Sequence, residues 1–181
     1  MVIASKEYHV RDLQYVIRTA EVEDSQALAD VRLQVDGETE NMDRVRGEAY
    51  LDAEALKGII EKDSQSARSL FLVAEVNGEI AGFSRCEGSE LKRMAHKVEF
   101  GVGVLEAYWG YGIGKHLLKE SIQWAEETGV KKMTLNVLET NKKAIKLYHT
   151  YGFEIEGMLR KDKVLSDGQF YNTLLMGRFS E

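Results

Sequence analysis

The residues whose types and spacing could do chemistry fall between positions 99 and 148. Gly101, Gly103, Gly110, Gly112 and Gly114 crowd into one short stretch. The run from Val102 to Lys115, VGVLEAYWGYGIGK, reads as a strand, a turn and the start of a helix. A helix N-terminus presents N–H groups without internal partners and the positive end of the helix dipole. Alternating glycines let that backbone take left-handed angles and come close to an anion, and a pyrophosphate is the natural guest. A bare strand-to-helix turn is the plainer alternative, but it does not need three glycines. The spacing excludes two better-known phosphate loops. In G-x-x-x-x-G-K-[ST] a hydroxyl must follow the lysine, and here His116 follows Lys115. In G-x-G-x-x-G the third glycine is misplaced, because Gly112 is followed by Ile113 and Gly114.

Two side chains near this loop could move protons. Glu99 lies on the strand leading into it, and a carboxylate there could take a proton from an amine or attract an ammonium ion. A solvated glutamate on an outward strand face has the same pattern. Tyr148 lies on the inner face of a later helix; a phenol of pKa about 10 stays protonated at neutral pH and can serve as an acid. A core aromatic on a helix's inner face is the plainer alternative. His9, His116 and His149 share no ligand spacing, so no metal is expected. Alternation puts His96 on the Val98 face as a structural residue, and Cys86 reads as a half-buried thiol.

The elements that must position these groups follow from periodicity. Residues 15–18 predict a first strand, preceded by an N-terminal extension over 1–14. Asp24 or Ser25 caps a helix with Ala27, Leu28, Val31 and Val35 on one face, and a second helix runs from about 52 to 63 with Leu51, Ala55 and Ile59 inward. Strands over 70–76 and 80–86 flank Asn77-Gly78, a hairpin signal. Residues 96–104 alternate, with Val98, Phe100, Val102 and Val104 on one face and Glu99, Gly101 and Gly103 on the other. A helix over 114–128 stops at Gly129, and Met133, Leu135 and Val137 mark the next strand. Asn141 caps a helix ended by Gly152, and two strands close the chain near 153–159 and 169–179. This is a mixed α/β chain, read as one domain over 1–181.

Composition narrows the function classes. Hydrophobic residues at 44% and charged residues at 30% suit a globular chain rather than a disordered one. A net charge of −6 repels phosphate backbones, which argues against nucleic-acid partners and favours cationic substrates. A single cysteine excludes an internal disulfide and fits a reducing, cytoplasmic setting. No apolar run approaches the ~20 residues of a membrane span, and the N-terminus lacks the apolar core of a signal peptide.

With these residues in view, the chain resembles the GNAT superfamily of N-acetyltransferases. The family's acetyl-CoA loop, [QR]-x-x-G-x-[GA], is matched by Trp109-Gly110-Tyr111-Gly112-Ile113-Gly114, with Trp109 departing at the Gln/Arg position. The wording EFGVGVLEAYWGYGIG is similar to a bacterial branch with YWGxGIG. A second signature, Asn followed by A-x-x-[LY]-Y-x-x-x-G-F, appears as Asn141, Ala144, Leu147, Tyr148, Gly152 and Phe153. The resemblance implies a central mixed, mostly antiparallel sheet of about seven strands flanked by about four helices. It implies acetyl-CoA as co-substrate and no metal. Main-chain groups of Val102, Gly103 and Val104 would pair with the pantetheine arm, Gly110 to Lys115 would hold the pyrophosphate, and Asn136 and Asn141 would contact the pantetheine side. Tyr148 would protonate the departing sulfur, and Glu99 faces the amine as base or attractor. Some relatives place a base where Asn136 stands, a role asparagine cannot fill. Gly101 and Gly103 leave room beside Glu99 for a thioester to pass.

The acceptor is read from charge. Glu38, Glu40, Asp43, Glu48, Asp52 and Glu54 crowd the segment between the first two helices against Arg44 and Arg46. In this family that segment overhangs the acceptor site, so an acidic lip there would gather a cationic amine; a solvated helix start is the alternative. The expectation is transfer of an acetyl group to a primary amine in a ternary complex, with a small cationic amine ahead of a peptide or protein acceptor. A catalytically weak acyl-CoA-binding module is the alternative of another class. The terminal strands leave room for a homodimer.

Overall fold

The computed structural model describes residues 2–180, and its elements follow the expected order with one addition at the start. Lys6–Val10, inside the expected extension, is a strand (β1) paired antiparallel with Leu13–Thr19 (β2) across the Arg11-Asp12 turn. Its alternation is real, with Lys6, Tyr8 and Val10 half-buried and Glu7 and His9 exposed, but five residues with two charges hide it in the sequence. Next come α1 (Ser25–Glu38), α2 (Ala53–Gln65), β3 (Leu70–Val76), β4 (Glu79–Gly88) and β5 (Lys97–Val104). They are followed by α3 (Ile113–Glu127), β6 (Lys132–Leu138), α4 (Lys142–Thr150), β7 (Glu154–Val164) and β8 (Phe170–Phe179). The result is an eight-stranded sheet in the order β1-β2-β3-β4-β5-β6-β8-β7.

Every neighbouring pair is antiparallel except β5 with β6. That exception follows from connectivity: the chain leaves β5, crosses through α3 and returns as β6 in the same direction. Both faces of the sheet are covered, which is why β3, LFLVAEV, reads as a nearly continuous apolar run. Against α3 and α4 lies a core with Tyr15, Leu72, Phe100, Leu117, Trp124 and Phe153. Against α1 and α2 lies another with Leu28, Val35, Leu56, Ile60 and Val73. Full burial of each such side chain contributes roughly 1.5–3 kcal/mol.

The helix faces differ by a residue from expectation. Leu56, Ile60 and Asp63 turn inward on α2 while Ala55 is exposed, and Ala29 rather than Ala27 is buried on α1. On α2 the shifted face includes Asp63, an acid that the periodicity cannot assign to an interior. His96 is exposed just ahead of β5 and not on its apolar face. Cys86 is fully buried, and burial pushes its thiol up to about 12, so it is inert as a nucleophile. No α-helix among the described residues is long and apolar enough to cross a membrane.

Candidate active site at the parting of two strands

β5 and β6 pair only at their starts, Lys97–Glu99 with Lys132–Thr134. Beyond that the strands part, because each is committed on its other side. β4 holds β5 as far as Val104, and β8 holds β6 along its whole length to Leu138. A wedge opens in the sheet, with Glu99 at its root. Among the described residues the edge of β5 toward this wedge has no strand partner from Phe100 onward.

The direction of each backbone group follows from its neighbours. Leu105 N donates to Ala81 O of the β3–β4 side at 3.0 Å, so the carbonyl of Val104, in the same peptide, points the opposite way, into the wedge. The Gly103 carbonyl lies against Gly82 on β4. Alternation then sends the N–H and C=O of Val102 and Val104 into the wedge and those of Gly103 to β4. Of the three residues expected to offer main-chain groups to a pantetheine arm, Val102 and Val104 turn theirs into the wedge and Gly103 turns its own to β4. The Trp109 indole already donates to the Val104 carbonyl at 2.8 Å, which pins the turn to the strand end. This is the structural use of the residue that departs from the [QR] pattern.

The expectation of open space beside the two strand glycines divides in the same way. A Cβ on Gly101 would meet nothing within 4 Å, whereas one on Gly103 would stand 2.9 Å from the Phe83 ring. Gly103 is a packing glycine under Phe83; Gly101 is open. It lines a cleft of about 270 Å³ together with Arg85, Glu87, Glu99 and Phe100. Arg85 and Asp63 are the site residues that the sequence does not reveal. Arg85 sits opposite Gly101 on β4, and α2 delivers Asp63, only 2% exposed, to meet it. The pair is bidentate, at 2.6 and 3.0 Å, and Arg85 also donates to Glu87 at 3.0 Å. Burial works against the Arg85 charge, but Asp63 outweighs it and holds its pKa above the ordinary value. With Asp63 compensating the arginine, the carboxylates of Glu87 and Glu99 leave this cleft net negative. The Glu99 side chain is exposed and has no hydrogen bond or ion pair among the described residues.

The acidic segment between α1 and α2 is differently occupied. Glu38 accepts from Glu106 N, Glu40 from Ser166 N and Glu48 from Val45 N. Asp43 pairs with Lys163, and Asp52 caps α2 by accepting from Ala55 N. Arg44 is held bidentate by Asp36. These acids fasten the segment to the β7–β8 turn and the β5–α3 turn, so most of the expected lip is structural. Negative charge available to a ligand sits instead at Glu87 and Glu99.

The turn into α3 has the conformation that its glycines were expected to permit. Gly110 (φ 86°) and Gly112 (φ 78°) are left-handed, and Gly112 is the N-cap of α3. A residue with a Cβ would be strained at either by about 1–2 kcal/mol. Tyr111 and Ile113 alternate with them, Ile113 buried as an anchor, and Lys115 is exposed. The loop is braced from below. Tyr15, 1% exposed, donates its hydroxyl to the Tyr111 carbonyl at 3.1 Å and meets Nδ1 of His116 at 2.6 Å. The hydroxyl has one proton, so the tautomer of His116 decides which of the two contacts it supplies. Tyr8 of β1 stacks on His116 at 4.0 Å and bonds to Glu120, which also pairs with Lys6.

Tyr148 lies on the other side of the sheet from Glu99, in the core under α4 and tilted against Phe153. Burial pushes its phenol up to about 12, and its hydroxyl has no hydrogen-bond partner among the described residues. Asn141 caps α4 by accepting from Ala144 N. Asn136 is exposed on β6 beside the wedge. Among the described residues no three His, Cys, Asp or Glu side chains gather to hold a metal ion.

Residues 37–153, which include the wedge, the glycine turn and α4, match the model of the Acetyltransferase (GNAT) family. The chain belongs to the GNAT family. It is 32% identical over 108 residues to the L-amino acid N-acetyltransferase AaaT of Escherichia coli (strain K12), a match covering 59% of this chain and 66%, just under two thirds, of that protein. Its fold is similar to the acetyltransferase of the GNAT family from Streptococcus pneumoniae, with a TM-score of 0.88 and 30% identity over 92% of this chain and 99% of that one. The structure of yncA from Salmonella typhimurium with its cofactor acetyl-CoA shares the fold, with a TM-score of 0.81 and 22% identity over 92% of this chain and 94% of that one.

Proposed function

We propose that this GNAT protein transfers the acetyl group of acetyl-CoA to a primary amine by direct attack in a ternary complex. The parting of β5 and β6 carries the reading: it offers a free strand edge for an extended, amide-bearing arm to pair with, and Glu99 stands at its root. Residues Gly110 to Lys115 fit a diphosphate, because two left-handed glycines bring the N–H groups of the α3 start within reach of an anion. Acetyl-CoA, when bound, supplies the activated thioester.

The chain's own groups would then do the following. Val102 and Val104 pair with the pantetheine amides and set the thioester in the wedge beside the open face of Gly101. Glu99 receives the amine from the α1–α2 side and takes its proton through water as the C–N bond forms. Tyr148 faces the sulfur as the C–S bond breaks. At about 12 its phenol remains protonated wherever an amine is nucleophilic, so a proton is at hand for the developing thiolate, although burial also makes it a weaker acid. The amine's proton leaves through Glu99 to solvent and solvent reprotonates the Tyr148 phenolate, so the proton lost by the amine balances the one gained by sulfur. Products are the acetylated amine and the free thiol.

A small acceptor is favoured by the likeness to a relative named for L-amino acids. The net negative charge of the cleft, where Asp63 and Glu87 share one arginine and the Glu99 carboxylate has no ion pair among the described residues, favours a cationic one. The test is thiol release from acetyl-CoA across polyamines, aminoglycosides, free amino acids and peptides with open N-termini. Turnover with cationic small amines is expected, and Tyr148→Phe should lower kcat about 100-fold with acetyl-CoA affinity retained. Unchanged turnover in that variant would sink the assignment of Tyr148. Silence across the panel, with acetyl-CoA still binding, would replace the enzyme reading with an acyl-CoA-binding module.

A further inference from the structure

Because Trp109 stands where the family pattern has glutamine or arginine, the turn into α3 begins without a charged side chain. A cation reaches the turn from the far end of the chain instead. Arg11 opens the two-residue turn between β1 and β2, and its backbone is left-handed (φ 58°). That conformation costs an arginine about 1 kcal/mol, and glycine or asparagine would adopt it more readily. The turn therefore keeps a residue type it does not favour. Its side chain extends over the glycine loop: the guanidinium carbon is 5.7 Å from the centroid of the Tyr111 ring. Nη1 stands 4.0 Å from where a Cβ on Gly110 would be. Arg11 has no carboxylate partner among the described residues. The placement is rigid at its root, because Tyr15 and His116 tie β2 to the Tyr111 carbonyl and Tyr8 of β1 stacks on the same histidine.

We propose that Arg11 is a phosphate-binding residue of the acetyl-CoA site, supplying from the β1–β2 turn the guanidinium that position 109 lacks. The inference rests on the acetyl-CoA reading above and makes residues 6–18 a working wall of that site rather than an extension. Coenzyme A carries two phosphate groups of this chemistry, the diphosphate and the ribose 3′-phosphate. Arg11 can reach one of them by bidentate hydrogen bonds while stacked on Tyr111.

Calorimetric titration with CoA and with dephospho-CoA, which lacks the 3′-phosphate, tests this on the full chain. The variants are Arg11→Gly, Arg11→Asn and Arg11→Lys, with melting temperature as a fold control. Gly and Asn relieve the strained turn, so the melting temperature should hold or rise while CoA affinity falls about tenfold. Arg11→Lys should retain most of the affinity. An equal loss with both ligands assigns the guanidinium to the diphosphate, and a loss with CoA alone assigns it to the 3′-phosphate; each supports the proposal. CoA affinity within about twofold of the unaltered protein in both Gly and Asn variants would overturn it. If the unaltered protein bound no CoA, the acetyl-CoA reading would fall and this inference with it.

Discussion

The two sides of the wedge are built by different means. On the donor side, binding groups are backbone: the free edge of Val102 and Val104 and the N–H groups after Gly110 and Gly112. On the acceptor side they are side chains, and their neighbours come from far along the chain: Asp63 against Arg85, Glu40 against Ser166, Asp43 against Lys163. A backbone site leaves its mark in the sequence as glycines at fixed spacing, because only they permit the angles. A side-chain site leaves little mark, since any surface segment can carry arginines and acids. The difference also predicts what evolution can alter cheaply: the acceptor cleft by single substitutions, the donor loop hardly at all.

The comparison can be broken by showing that damage crosses from one side to the other. The largest effect is expected at the loop. Gly112→Val forces a branched side chain into a left-handed position, 3.6 Å from the His116 ring at its Cβ. Acetyl-CoA affinity should fall about 30-fold, equivalent to about 2 kcal/mol, with KM for the amine unchanged. Calorimetry and steady-state kinetics read the two quantities separately.

On the other side, Asp63→Asn leaves Arg85 without its bidentate partner. Since Arg85 is about a quarter exposed, the loss of stability should be nearer 2 kcal/mol than that of a fully buried pair, a fall of about 4–8 °C in melting temperature. The uncompensated arginine also offsets one carboxylate of the cleft, so KM for a cationic amine should rise while acetyl-CoA affinity holds. A change in acetyl-CoA affinity instead would erase the division between the two sides.

Legibility follows the same division. The order of elements from β2 onward, the left-handed turn glycines and Asn141 as a cap could be read from alternation, capping and motif spacing. β1 could not, because its charged residues mask a five-residue strand. The role of Asp63 could not either: an acid on an inward helix face is intelligible only once Arg85 is known to lie beneath it. The segment over 38–54 shows the limit most plainly. Its acids look like a lip for a cation, yet their partners are backbone amides and a lysine up to 126 residues away.

The smallest predicted effect is one of pH and lies outside both sites. Asp24 is held by Arg18 at 2.7 and 2.8 Å; burial works against its charge, but the Arg18 hydrogen bonds outweigh it, and its pKa lies below the ordinary 3.8. A depressed carboxylate contributes stability above its unfolded pKa and loses it as pH falls through the folded one. The stability gap between the unaltered protein and Asp24→Asn should therefore be constant above about pH 5 and close below about pH 4. Urea unfolding at a series of pH values checks it, and acetyl-CoA affinity at neutral pH should not move.

Amide hydrogen exchange at Val102 and Val104, followed by NMR with and without coenzyme A, tests most directly whether the donor binds along the free edge of β5. These N–H groups point into the wedge with no strand partner, so they should exchange rapidly in the free protein and slow on binding, together with the amides after Gly112. The Gly103 amide, turned to β4, should be protected in both states. Coenzyme A binding that leaves Val102 and Val104 as exposed as before would contradict the account.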